Sequence, residues 1–94
     1  MTVTEILKQA GESEVHALRE YATLLALSKM SRYESECALF EKKYKESFHA
    51  FKRRIAAMRN EEDFKAENDL MDWEFAHEAL HWWKAKLEDI RHAV

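Results

Sequence analysis

An all-α fold is what this chain of 94 residues predicts: a small bundle of about three main helices with a long antiparallel helical hairpin. Three observations carry that expectation. The stripe Tyr33, Cys37, Phe40, Tyr44, Phe48, Phe51, Ile55 and Met58 advances in steps of 4, 3, 4, 4, 3, 4 and 3, which keeps all eight side chains on one face of a helix. The chain has one Gly and no Pro, and no segment alternates apolar and polar residues by two as a half-buried strand would. Charge is also segregated. From Lys42 to Arg59 there are seven basic residues against one acidic, and from Glu61 to Glu78 eight acidic against one basic. A hairpin lays such arms side by side, so the basic arm is neutralised by its own neighbour.

The elements follow in order within a single domain over 1–94. Thr2 and Glu5 have capping-box spacing ahead of Ile6 and Leu7, and Gly11 stops a short helix inside residues 1–11. Ser13 caps a helix over 13–29 that carries Val15, Leu18, Tyr21, Ala22, Leu24, Leu25 and Leu27. These side chains wrap most of the way round, which predicts a helix packed between neighbours. Ser28 to Ser31 is a candidate joint, and the sequence leaves open whether the chain bends there. Ser31 with Glu34 repeats the capping box and opens a long helix over 31–59. Lys45-Glu46-Ser47 is a weaker break, with Ser47 able to cap a new helix, but the unbroken stripe argues against it.

Asn60 to Asp63 is polar, begins with a capping residue and separates two long periodic segments, so it predicts the hairpin turn. The last helix, over 62–92, has its main stripe at Leu70, Trp73, Ala76, Leu80, Trp83, Leu87 and Ile90. A second set, Met71, Phe75 and Trp82, points about 140–180° away from Leu80. A helix apolar on two faces is either central in a bundle or turns one face to a partner.

Composition bounds the function classes. With 47% hydrophobic residues, 35% charged residues and eleven aromatics (three Trp, three Tyr, five Phe), the chain is ordered and globular. A net charge of -3 gives no overall attraction to nucleic acid or anionic membranes. The single cysteine excludes an intrachain disulfide framework, and its place in the stripe makes Cys37 a buried thiol. The longest apolar run, Tyr21 to Leu27, is too short to span a bilayer, and the N-terminus lacks a charged region before an apolar one. A cytoplasmic protein is the expectation.

Two spacings suggest metal chemistry. His77-Glu78-Ala79-Leu80-His81 matches His-Glu-x-x-His, in which histidines at i and i+4 share a helix face and ligate zinc while the glutamate acts as base. The third ligand is missing from the metzincin continuation, where this chain has Lys84 and Leu87; Glu88 and His92 are the remaining candidates. Glu46 with His49, Glu74 with His77, and Glu78 with His81 have the Glu-x-x-His spacing of di-iron bundles. Those glutamates lie off the apolar stripes, which favours solvated carboxylates. The sequence therefore predicts no cofactor, with His77, His81 and Glu78 as the alternative metal set.

Lys42, Lys45, His49, Lys52 and Arg59 recur at helical spacing, with Lys43, Arg53 and Arg54 nearby, and such a stripe can track phosphates. No helix-turn-helix signature or glycine loop accompanies it, so nucleic-acid binding is the third reading. No catalytic triad or P-loop is present, and the sequence predicts a protein without enzymatic activity. The aromatic second face weighs most, since Trp and Met are enriched at interface centres. Met71, Phe75 and Trp82, flanked by Lys52 and Arg53, are the candidate partner-binding residues, and pairing of two copies would also bury that face.

Leu18-Arg-Glu-Tyr-Ala, the run from Ala26 to Cys37, Phe40-Glu-Lys-Lys-Tyr and the run from Glu67 to Ala76 resemble a family of small helical prokaryotic proteins. Members are encoded beside a second small gene in toxin–antitoxin style. The resemblance spans about residues 15–90 and contains no motif diagnostic of an activity. It implies a non-enzymatic protein that binds a cognate partner, an antitoxin occluding its toxin. It also implies a helix break near position 45, where relatives carry glycine and this chain has Lys45.

Overall fold

The structure, a computed structural model, describes residues 1–58 and 63–93. Four helices and no strand occur among the described residues: α1 (Val3–Gln9), α2 (Glu14–Tyr44), α3 (Phe48–Ala57) and α4 (Phe64–His92). The fold is all-α, and its frame is an antiparallel hairpin of α2 against α4, with α3 set into the connection between them.

Capping chemistry sets most of the boundaries. Thr2 Oγ1 accepts from the Glu5 amide at 3.1 Å, and Ser13 Oγ accepts from the His16 amide at 3.0 Å. α1 ends in a Schellman turn: the Gly11 amide donates to the Lys8 carbonyl and the Glu12 amide to the Leu7 carbonyl, with Gly11 at φ 77. Asp63 Oδ1 accepts from the Ala66 amide at 3.0 Å and starts α4. The turn residues Asn60, Glu61 and Glu62 lie outside the described residues.

The helix expected over 31–59 is not one helix, and Ser31 does not start it. α2 runs unbroken through 28–31, because Ala26, Met30, Tyr33 and Cys37 keep the 4, 3, 4 rhythm of the core face and no glycine or proline interrupts them. The break falls at 45–47 instead. Lys45, the residue that caps the C-terminus of α2, adopts the left-handed conformation, φ 56 and ψ 34, and Ser47 Oγ accepts from the Ala50 amide at 3.2 Å to begin α3. Arg54 closes the joint by pairing with Glu46 at 2.7 Å. The stripe survives the break because the joint re-aims it: the rings of Tyr44 and Phe51, on either side, stand 4.2 Å apart.

Two clusters form the core along the α2–α4 seam. Phe48, Phe51, Ala66 and Trp73 are buried together, with Cys37, Phe40, Tyr44, Ile55 and Leu70 packed against them. Tyr33, Ala76 and Leu80 form the second, flanked by Met30, Ala79 and Trp83. Ala26 and Ala76, both fully buried, let the helix backbones approach closely. At the open end Arg19 donates to the Ala93 carbonyl at 2.5 Å, a cation on the C-terminus of α4.

The first half of α2 differs from expectation. Leu18, Tyr21 and Leu24 are exposed although α1 and the end of α4 lie beside this stretch, and α1 contributes no buried residue. The molecule is long and thin, 65 × 27 × 19 Å.

Candidate interaction surface

Trp73 and Ala76 turn one face of α4 into the core, and the opposite face follows from helical geometry. Met71, Phe75 and Trp82 lie on it, with 68%, 63% and 53% of their surface exposed. Phe64 extends the same stripe by two turns and is also exposed. Phe75 is held from beneath: its ring meets the edge of buried Tyr33 at 5.9 Å. Lys86 sits over Trp82, 5.4 Å from the ring, and Trp83 packs edge-on against it.

Beside this stripe an open groove of about 410 Å³ runs between α2 and α4, lined by Arg32, Glu36, Leu39, Phe40, Lys43, Asp72 and Phe75. Leu39 projects from α2 and is exposed. Sequence reading passed over Leu39 because it stands outside the core stripe. The signal was its register with Leu18, Tyr21, Leu25 and Arg32, spaced by three, four, seven and seven residues.

The flanking cations divide. Lys52 Nζ pairs with Glu74 at 3.0 Å, on the side of α4 where α3 packs, and Arg53 is exposed on α3. Glu74 is one residue, or about 100° of helix, from Phe75, so Lys52 and the aromatic stripe occupy different sides of α4. Lys43 reaches Asp69 at 2.5 Å, so two cations of the basic arm are neutralised by the acidic arm.

His77 and His81 stand with ring centroids 4.5 Å apart, and α3 brings His49 to 5.5 Å from His77. Phe48 stacks on His77 at 4.5 Å. Burial pushes the His77 pKa down, and the neighbouring His81 and His49 push it further. Glu78 is exposed, Glu74 is paired with Lys52, and Glu46 with Arg54. Among the described residues no three His, Cys, Asp or Glu side chains are arranged to hold a metal ion.

Cys37 is half-buried where the two core clusters meet. Burial first, then Glu41, Glu36 and Glu34, raise its pKa, which keeps the thiol protonated near neutrality. No helix among the described residues is long and apolar enough to cross a membrane. Compared with known proteins, the chain matches no family model, no curated protein and no solved structure.

Proposed function

We propose that this chain is a non-enzymatic protein-interaction module that acts in the cytoplasm, as the antitoxin of a two-gene pair that occludes its partner. The observation that carries the reading is the row Met71, Phe75 and Trp82: three large apolar side chains, more than half exposed, on the outer face of a helix whose inner face is fully used. Aromatic and Met side chains held on a rigid helix are the anchors that partner surfaces select. The titratable groups support the same reading. Asp69, Glu74 and Glu46 are each tied to a cation, and the Cys37 thiol is held in its unreactive form.

The test is co-expression of the full chain with the polypeptide encoded beside it, followed by native mass measurement and a growth assay. A complex of the two chains, relief of growth inhibition, and loss of both in Trp82→Ala are expected. Two chains that elute separately, with no effect on growth, would overturn the reading.

A further inference from the structure

The accessible surface of the chain is 7304 Å², against about 5,700 Å² for a compact monomer of 11.2 kDa. The surplus of about 1,600 Å² is the scale of a specific interface, in which each partner gives up about 800 Å² or more. The radius of gyration agrees: 19.6 Å, where compact packing of this length gives about 12 Å. Domains are built from two packed layers, and the α2–α4 hairpin is one layer with α3 backing only part of it. On its other face lie Leu39, Phe75 and the groove between them.

The groove's rim indicates what covers that face. Arg32 and Lys43 contribute two cations and Glu36 and Asp72 two carboxylates, so the patch is neutral and mixed in sign. A surface of a single sign would repel itself across a two-fold axis, whereas this one, with Arg32 paired to Glu36 and Lys43 to Asp69 within the chain, meets its twin without net charge. Along α2, Tyr21 and Leu18 recur on the same side of the helix as Leu39, 18 and 21 residues before it, and are also exposed.

We infer that the occupant of this face is a second copy of the chain, two hairpins stacking across the groove into a four-helix bundle. This rests on the interaction-module reading and gives that module its first partner. In such a dimer Phe75 and Leu39 are interior residues, and Phe64, Met71 and Trp82, exposed outside the groove, remain as the apolar surface for a polypeptide of different sequence.

The experiment is sedimentation equilibrium of the untagged full chain, with Leu39→Glu and Phe75→Glu prepared alongside and helix content followed by circular dichroism. Wild type is expected at twice the chain mass, and each variant at half that value with unchanged helicity, since both side chains are exposed within one chain. A wild-type monomer overturns the inference, and so does a dimer that both well-folded variants retain. If either variant loses helicity, cross-linking of Leu39→Cys in a Cys37→Ser background decides: an interchain disulfide across the groove supports the stacking, and none overturns it. A monomer that still binds its neighbour-encoded partner would overturn the dimer alone and leave the interaction module standing.

Discussion

Tyr44 and Asp69 are joined hydroxyl to carboxylate across the α2–α4 seam, and Lys43 Nζ reaches the same carboxylate oxygen at 2.5 Å. The contact ties the last residues of α2 to the start of α4, one residue before the chain turns at Lys45. The Lys43 ammonium, then the Tyr44 hydroxyl, hold the Asp69 pKa below its ordinary 3.8. A depressed carboxylate favours the folded chain above its unfolded pKa, and that contribution disappears as pH falls through the folded value. Tyr44→Phe keeps the ring against Phe51 and Trp73 and removes only the hydroxyl. We expect it to cost about 1 kcal/mol near neutral pH and less in acid, measured by urea unfolding. An equal cost across that range would show that Asp69 does not carry the effect.

Trp73 is the second fixed point. It is 1% exposed, and the rings of Phe40, Phe48 and Phe51 surround it at 5.4–5.6 Å. Trp73→Ala is expected to cost roughly 3–5 kcal/mol. That is a large share of the ~5–14 kcal/mol available to a chain of this length. Thermal unfolding should show a lower, broader transition, and an unchanged midpoint would mean that the cluster is not the folding core.

These two sites separate what was legible from what was not. The caps at Thr2 and Ser13 and the stop at Gly11 are local chemistry, so residues three or four apart reveal them, whereas the cap at Asp63 lay unread inside the polar turn. Tyr33, Cys37, Phe40 and Tyr44 were legible as core for the same reason. The Ser31 capping box misled because a cap has meaning only where a helix starts, and continuous packing of Ala26, Met30 and Tyr33 overrode it. The break at 45–47 was a legible candidate, with Ser47 as its cap, but the stripe that continues across it argues against it; what ends α2 is the convergence of Tyr44, Phe48 and Phe51 on Trp73, a contact over more than twenty residues of chain. Met71, Phe75 and Trp82 were legible as a second face, yet Leu39 beside them was not, because its neighbour across the groove comes from another helix. Likewise, His49 meets His77 only because α3 folds back.

Lys45 tests the joint directly. It is exposed and holds φ 56, a conformation that costs a side-chain-bearing residue roughly 1 kcal/mol. Lys45→Gly relieves that cost but loosens the unfolded chain, so a net gain of about 0.5 kcal/mol is expected. Lys45→Val, β-branched, should destabilise by at least 1 kcal/mol. Chemical denaturation midpoints check both, and a loss of stability in the glycine variant would mean that position 45 does not need the left-handed region.

His77 lies under Phe48 with rings 4.5 Å apart and nearly parallel, so α3 docks on an imidazole. Burial lowers its pKa first, with His81 and His49 adding to that, while Glu78 and Glu74 oppose it. Because the folded pKa lies below the unfolded value of about 6.5, the unfolded chain binds the proton more readily. Stability is therefore full above that pH and is lost as pH falls through the folded value. The melting temperature should fall between about pH 7.5 and about pH 5.5, before most carboxylates titrate. His77→Phe keeps an aromatic ring against Phe48 and removes the titrating group, so its melting temperature should change much less over that interval. A His77→Phe profile parallel to wild type would assign the acid sensitivity to another group.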